Sequence, residues 1–199
     1  MIRKLADGNC WMTSNLALIL NANSNITGSY NNRTSFIFNT GPICNSDANC
    51  AMNGDTTMSG NNYYYNWFAA TAGRGTTSSL GDIDGSICPI GWKIPSSYSI
   101  DQKQSYGSVT NSYGFTTNGE ISSNNFVSSM ETFPLSFVRS GFYHSGEIRQ
   151  ADGGYYWAST AHLSIDSYAI YLLFRATGLY PGAGDGGKYL GMSIRCVAI

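Results

Sequence analysis

Hydrophobic alternation is sharpest in Ala169-Ile-Tyr-Leu-Leu-Phe-Arg175, a short run of β-branched, aromatic and aliphatic residues with turn formers beyond it, which predicts a strand. Side chains of a strand alternate between faces, so Ile170, Leu172 and Phe174 are expected on a core face and Tyr171, Leu173 and Arg175 on the other. The second set mixes an aromatic, an aliphatic and a charge, as a contact surface does. The competing reading is that a loop or a partner subunit covers Tyr171 and Leu173. At the N-terminus, Ile2-Arg-Lys-Leu5, a turn at Asp7-Gly8-Asn9 and Cys10-Trp-Met-Thr13 predict a hairpin. Leu16-Ala-Leu-Ile-Leu20 reads as a buried strand, and Asn21 to Ser59 as a surface excursion rich in Asn, Ser, Thr and Gly. Tyr63-Tyr-Tyr-Asn-Trp-Phe-Ala-Ala70 spaces its aromatics and alanines as a short buried helix would, ended by Ala72-Gly73. Further helices are expected over Ser97 to Tyr106 and Asn124 to Glu131. Short helices on an irregular antiparallel sheet with long loops make an α+β fold.

Composition narrows the function classes. The 199 residues suffice for one sizeable core, and residues 1 to 199 are expected to form a single domain. Only 12% of residues are charged and the net charge is -1, so the clustered Lys and Arg of a nucleic-acid groove are missing. Bulk comes instead from Gly (23) and Tyr (14) with many Ser and Asn, the vocabulary of antibody binding loops. No stretch is long and apolar enough to cross a bilayer, so direct membrane insertion by this segment is not expected. Cys44 and Cys50 bracket a short polar loop that a disulfide would close, Cys88 and Cys196 lie in apolar-flanked segments able to meet across a core, and Cys10 is left over. His144 and His162 are far in sequence from any Cys pair, so no metal ligand set is predicted. A disulfide-bearing protein fits an extracellular or cell-surface location, with any leader or anchor outside this chain.

The C-terminal third interleaves two kinds of sequence. A frame reads Phe133-Pro-Leu-Ser-Phe-Val-Arg-Ser-Gly141, Tyr156-Trp-Ala-Ser-Thr160 and Met192-Ser-Ile-Arg-Cys-Val197, while the positions between hold Phe, His, Arg, Tyr, Leu, Gly and Asp without pattern. Asp7-Gly-Asn-Cys-Trp-Met12, Tyr64-Tyr-Asn-Trp-Phe-Ala-Ala-Thr71, Ser86-Ile-Cys-Pro-Ile-Gly-Trp-Lys-Ile-Pro95 and Ser193-Ile-Arg-Cys-Val197 together resemble the Fibrobacter succinogenes major paralogous domain family. The resemblance implies a C-type-lectin-like fold and a disulfide between Cys88 and Cys196 as the family's recurrent pair; it leaves Cys44 and Cys50 unassigned. Within that family, the ending resembles the variable proteins of diversity-generating retroelements. There an error-prone reverse transcriptase miscopies template adenines, mainly in Asn codons, and writes the result into the 3′ end of the gene.

Changing the adenines of an Asn codon reaches only amino acids that own a codon ending in a pyrimidine, which excludes Lys, Glu, Gln, Met and Trp. Phe142, His144, Arg149, His162, Ser164, Tyr171, Leu173, Arg175, Gly178, Tyr180, Asp185 and Tyr189 all pass; Trp157, Lys188, Met192, Glu147 and Gln150 do not. With Tyr155 and Tyr168, the passing residues are the expected ligand-binding set, inside a diversified region over residues 139 to 199. The resemblance implies a module that binds a variable macromolecular ligand, protein or glycan, without catalysis, metal or cofactor.

Two rival classes remain. A conventional carbohydrate-binding lectin or adhesin would use Tyr and Trp stacking, although the Glu-Pro-Asn type of triplet found in calcium-dependent members of the fold is absent. A relative of the formylglycine-generating enzymes would need Cys10 as a reactive thiol, and its apolar neighbours Trp11 and Met12 favour a structural thiol instead. Asp82 and Asp84 in Leu-Gly-Asp-Ile-Asp-Gly-Ser read as a turn rather than a calcium loop, for want of further acidic ligands.

Overall fold

The computed structural model describes residues 1–17, 51–53, 63–76, 78–97, 104–115, 119–120, 125–144 and 147–199. The N-terminal hairpin forms as the sequence predicts, with β1 (Ile2–Lys4) antiparallel to β2 (Cys10–Met12) and Arg3 opposite Trp11. Its turn is held by one carboxylate. Asp7 accepts from the Asn9 amide at 3.1 Å and from the Trp11 indole at 3.0 Å, while Gly8 takes φ +82°, a conformation glycine adopts without steric cost. Leu16 is buried, and its amide donates to Ile194, but it is in no strand; residues 18–20 of the expected strand lie outside the described residues.

The segment expected to be one helix from Tyr63 to Ala70 is divided. β3 (Ala51–Asn53) pairs with β4 (Tyr63–Tyr65), and the helix α1 is only Trp67–Ala70. Three consecutive tyrosines favour the pleated surface, and Asn66 then stops the strand by capping the helix, its Oδ1 accepting from the Ala69 amide at 2.8 Å. After β5 (Gly81–Asp82) and β6 (Trp92–Lys93), residues 98–103 of the helix expected over Ser97 to Tyr106 lie outside the described residues; α2 is Tyr106–Ser112, capped by the Ser105 hydroxyl on the Ser108 amide at 2.9 Å. β7 (Gly119–Glu120) precedes α3 (Asn125–Glu131), which matches its predicted span to within one residue.

The remaining strands are β8 (Phe142–His144), β9 (Glu147–Arg149), β10 (Gly154–Ala161), β11 (Tyr168–Arg175), β12 (Gly178–Gly187) and β13 (Val197–Ala198). One sheet has the order β1-β2-β13-β6, so the first and last strands both flank β2; a second has the order β5-β10-β11-β12-β7. The fold is α+β, rich in antiparallel sheet with short helices. Cys88 and Cys196 form a disulfide with Cα atoms 5.9 Å apart, joining the segment before β6 to the one before β13. Cys10 is a free, partly buried thiol, and Cys44 and Cys50 lie outside the described residues. Among the described residues no helix is long and apolar enough to cross a membrane.

The larger sheet is covered on both faces, which corrects the expected division of β11 into a core face and a solvent face. Leu172 and Phe174 pack with Tyr156, Ala158, Leu179, Phe137 and Tyr106 in one core. Leu173 and Ala169 pack with Tyr155, Trp157, Trp67 and Ile194 in another. Leu173 is therefore buried, at 9% exposure, whereas Ile170 is only partly buried. Trp157 belongs to the Leu173 side, opposite Phe174.

Candidate ligand-binding face

The partly exposed surface of the larger sheet is built by aromatic rings lying over glycines. β12 is glycine-rich, and a Cβ added to Gly184 would stand 2.4 Å from Cε2 of Tyr171, on the neighbouring strand. One added to Gly178 would stand 2.6 Å from Cε2 of Tyr180. Glycine opposite an aromatic lets the ring lie flat against the backbone. The signal was present in the sequence as Gly178, Gly184 and Gly186, yet alternation read one strand at a time could not reveal which rings they receive.

Cross-strand partners share a face. Tyr155 faces Leu173, Leu173 faces Tyr180, and Trp157 faces Tyr171, so these residues lie together. Phe142 joins them from β8, its ring centre 5.1 Å from that of Tyr155, which in turn is 5.6 Å from Tyr171. Arg175 stands at the end of the row with its Cζ 5.9 Å from the Tyr180 ring centre and Gly178 as its strand partner. Leu173, Tyr155 and Gly178 form the buried floor, and Phe142, Tyr171, Arg175 and Tyr180 are partly exposed above it. Burial pushes the Tyr155 phenol up to about 12 and raises that of Tyr171, while the nearby Arg175 charge pulls both down. The Tyr155 hydroxyl donates to Gln150 Oε1, and Gln150 takes φ +47°.

Other residues of the expected set lie elsewhere. Asp185 pairs with Ile170, one position from Tyr171, and so takes the opposite face of the sheet; His162 meets it there, Nε2 3.4 Å from Asp185 Oδ2. His162 Nδ1 accepts from the amides of Ser164 and Ile165 at 3.1 and 2.9 Å, which orients its ring, and Ser164 and Tyr168 are exposed on that side. His144 and Tyr189 contact each other with ring centres 5.7 Å apart. Arg149 is exposed on the β8/β9 hairpin, its Nη2 2.9 Å from Glu147.

Of the residues outside the set reachable from an Asn codon, Trp157, Met192 and Lys188 are inside the molecule, whereas Glu147 and Gln150 are exposed. Trp157 donates its indole N–H to the Tyr65 carbonyl at 2.8 Å, and Met192 is 1% exposed. Lys188 is buried over the Trp67 ring and donates to the carbonyls of Thr76, Ser79 and Asp166; burial lowers its pKa. Arg195, whose role the sequence did not reveal, is 1% exposed and donates to the carbonyls of Met12, Leu135 and Ser136 and to Asn15 Oδ1. It holds the N-terminal hairpin, the 135–136 turn and the last strand in one place. Asp82 and Asp84 line a small cleft with Ser86, Lys93, Ser96 and Ser159, away from the aromatic row. Among the described residues no group of three or more metal-ligating side chains converges.

The sequence model of the Fibrobacter succinogenes major domain matches residues 6–198. The chain belongs to this family. Comparisons with curated proteins and with solved structures give no match. The family match covers the larger sheet, the smaller one apart from β1, the disulfide and the aromatic row, so this Fibrobacter succinogenes major domain includes its candidate face within the matched region.

Proposed function

We propose that the chain is a binding module of C-type-lectin-like fold, displayed outside the cell, whose aromatic face takes a macromolecular ligand and is diversified by a retroelement. One observation carries the reading: Phe142, Tyr171, Arg175 and Tyr180, all reachable from Asn codons, are partly exposed together, whereas the unreachable Trp157, Lys188 and Met192 are buried. A diversifying process that mostly spares the interior has that signature; the reachable Leu173 and Gly178 lie on the buried floor, and the unreachable Glu147 and Gln150 are exposed. Rigid rings give contact area at low entropy cost, and an arginine among them is a frequent anchor. The module is proposed to work without catalysis, since its conspicuous residues form a contact surface and Cys10 sits in β2 beside the buried Trp11.

The test replaces Tyr171, Arg175 and Tyr180 together by Asn, the proposed template residue. Ligands selected on the parent protein from a displayed peptide library or a glycan array should be lost, with thermal unfolding lowered by only about 4 °C, as expected for partly exposed positions. Retained binding by the folded triple variant would remove this face as the site.

A further inference from the structure

Arg175 differs from Arg139, Arg149 and Arg195, and shares with Arg3, which is exposed, only a place over an aromatic ring. Arg139 is paired with Glu131 and Arg149 with Glu147, and Arg195 is enclosed by carbonyls. Among the described residues, no carboxylate lies within ion-pair reach of Arg175, and its Nε is buried with no hydrogen-bond partner. Its guanidinium is nevertheless oriented. It stands over the Tyr180 ring, and that ring lies flat because Gly178, the strand partner of Arg175, has no Cβ to displace it. A cation set against an aromatic face with its donors unspent is preorganised for an anion, because little side-chain freedom is left to lose on binding.

The surroundings favour one kind of anion. The row formed by Phe142, Tyr155, Tyr171, Leu173 and Tyr180 supplies ring faces and one aliphatic floor residue. A sugar would need several amide or carboxylate partners for its hydroxyls; among the described residues, the Gln150 amide oxygen is already engaged by Tyr155, and the carboxylates whose charges act on the row are Asp152 and Asp185. Aromatic contacts around a single arginine are instead the composition of a protein interface centre.

Resting on the binding-face reading above, we propose that this chain's ligand is a polypeptide that places an Asp or Glu carboxylate on Arg175, with an adjoining apolar side chain against Tyr171 and Tyr180. Gly178 and Tyr180 act as positioning residues for that cation.

The test pans a phage-displayed random dodecapeptide library on the intact protein. Selected peptides should be enriched in Asp or Glu at one recurring position relative to the input library. Binding of a selected synthetic peptide should fall about tenfold or more for Arg175→Gln, fall similarly when its acid is changed to the amide, and fall little further when both changes are combined. Arg175→Lys, which keeps the charge without the planar fork, should fall between. Unfolding midpoints of both variants show that each is folded. Additive losses, or selected peptides without an acidic preference, would overturn the proposal. If Tyr171→Asn abolishes binding and Arg175→Gln does not, the face stands and the carboxylate assignment falls; if neither matters, both fall. A parallel titration with oligogalacturonate identifies the remaining source: Arg175-dependent binding there, with no acidic peptide selected, overturns the polypeptide assignment.

Discussion

Truncating Phe174 to Ala separates the inside of the sheet from its binding face. The ring is fully buried, stacked on Tyr156 at 6.4 Å and edge-on to Phe137 at 6.2 Å. A buried phenylalanine withdraws about 150 to 250 Å², worth about 4 to 6 kcal/mol at ~25 cal/mol per Å². Ala keeps its Cβ, and measured Phe→Ala truncations fall at about 3 to 5 kcal/mol. The neighbouring rings, Tyr156 on β10 and Phe137 in the segment after α3, are themselves buried, so the site collapses poorly, and the upper part of that range, about 4 kcal/mol, is expected. Tyr171→Asn removes a partly exposed ring resting on Gly184 and should cost about 1 kcal/mol. Leu173→Asn tests the corrected face: it places an amide at a 9% exposed floor position and should cost about 3 kcal/mol, although Leu173 passes the codon rule. Equilibrium urea unfolding followed by tryptophan fluorescence, with slopes compared across variants, gives all three values. A cost below about 2 kcal/mol for Phe174→Ala, or Leu173→Asn as mild as Tyr171→Asn, would refute the two-sided packing.

Two glycine replacements should rank by the freedom of the ring above them. Gly154→Ala puts a Cβ 2.0 Å from Cε1 of the immobile Phe174, for about 1 to 3 kcal/mol or more, whereas at Gly184 the Tyr171 ring can swing outward for about 1 kcal/mol; thermal unfolding giving the reverse order would contradict the ring-over-glycine account. Burial raises the phenols of Tyr106, Tyr143, Tyr155 and Tyr171, with Tyr155 at about 12 against an ordinary 10.0, so the unfolded chain releases these protons first and stability should fall as pH rises from 10.0 to about 12. Lys188, lowered by burial, has the opposite sign below its ordinary 10.5, but it is one group against four. An unfolding midpoint flat through that window would count against the buried phenols.

The parts of this fold legible in the sequence were those written locally. Asp7-Gly8-Asn9 specifies its own turn, and alternation located β11. Alternation gave the two faces of β11 correctly as sets, but not that both are covered, because the cover comes from Trp67 and Ile194 on one side and Phe137 and Tyr106 on the other. The same limit divided the candidate site. His162 and Asp185 resemble Tyr171 in codon accessibility, but antiparallel pairing sends them to the opposite face. Arg195 was hidden because its partners, three backbone carbonyls and the Asn15 side chain, are far away in sequence, where no local motif records them.

The central claim, a diversified face on a fixed interior, is tested most directly by sequencing the DNA downstream of the gene. The account predicts a near-copy of the segment encoding residues 139–199 beside a reverse transcriptase gene, differing almost only at adenines. Those differences should fall at the codons of Phe142, Tyr171, Arg175 and Tyr180 and spare those of Trp157, Lys188 and Met192. Absence of the repeat, or differences spread evenly over buried and exposed codons, would contradict it.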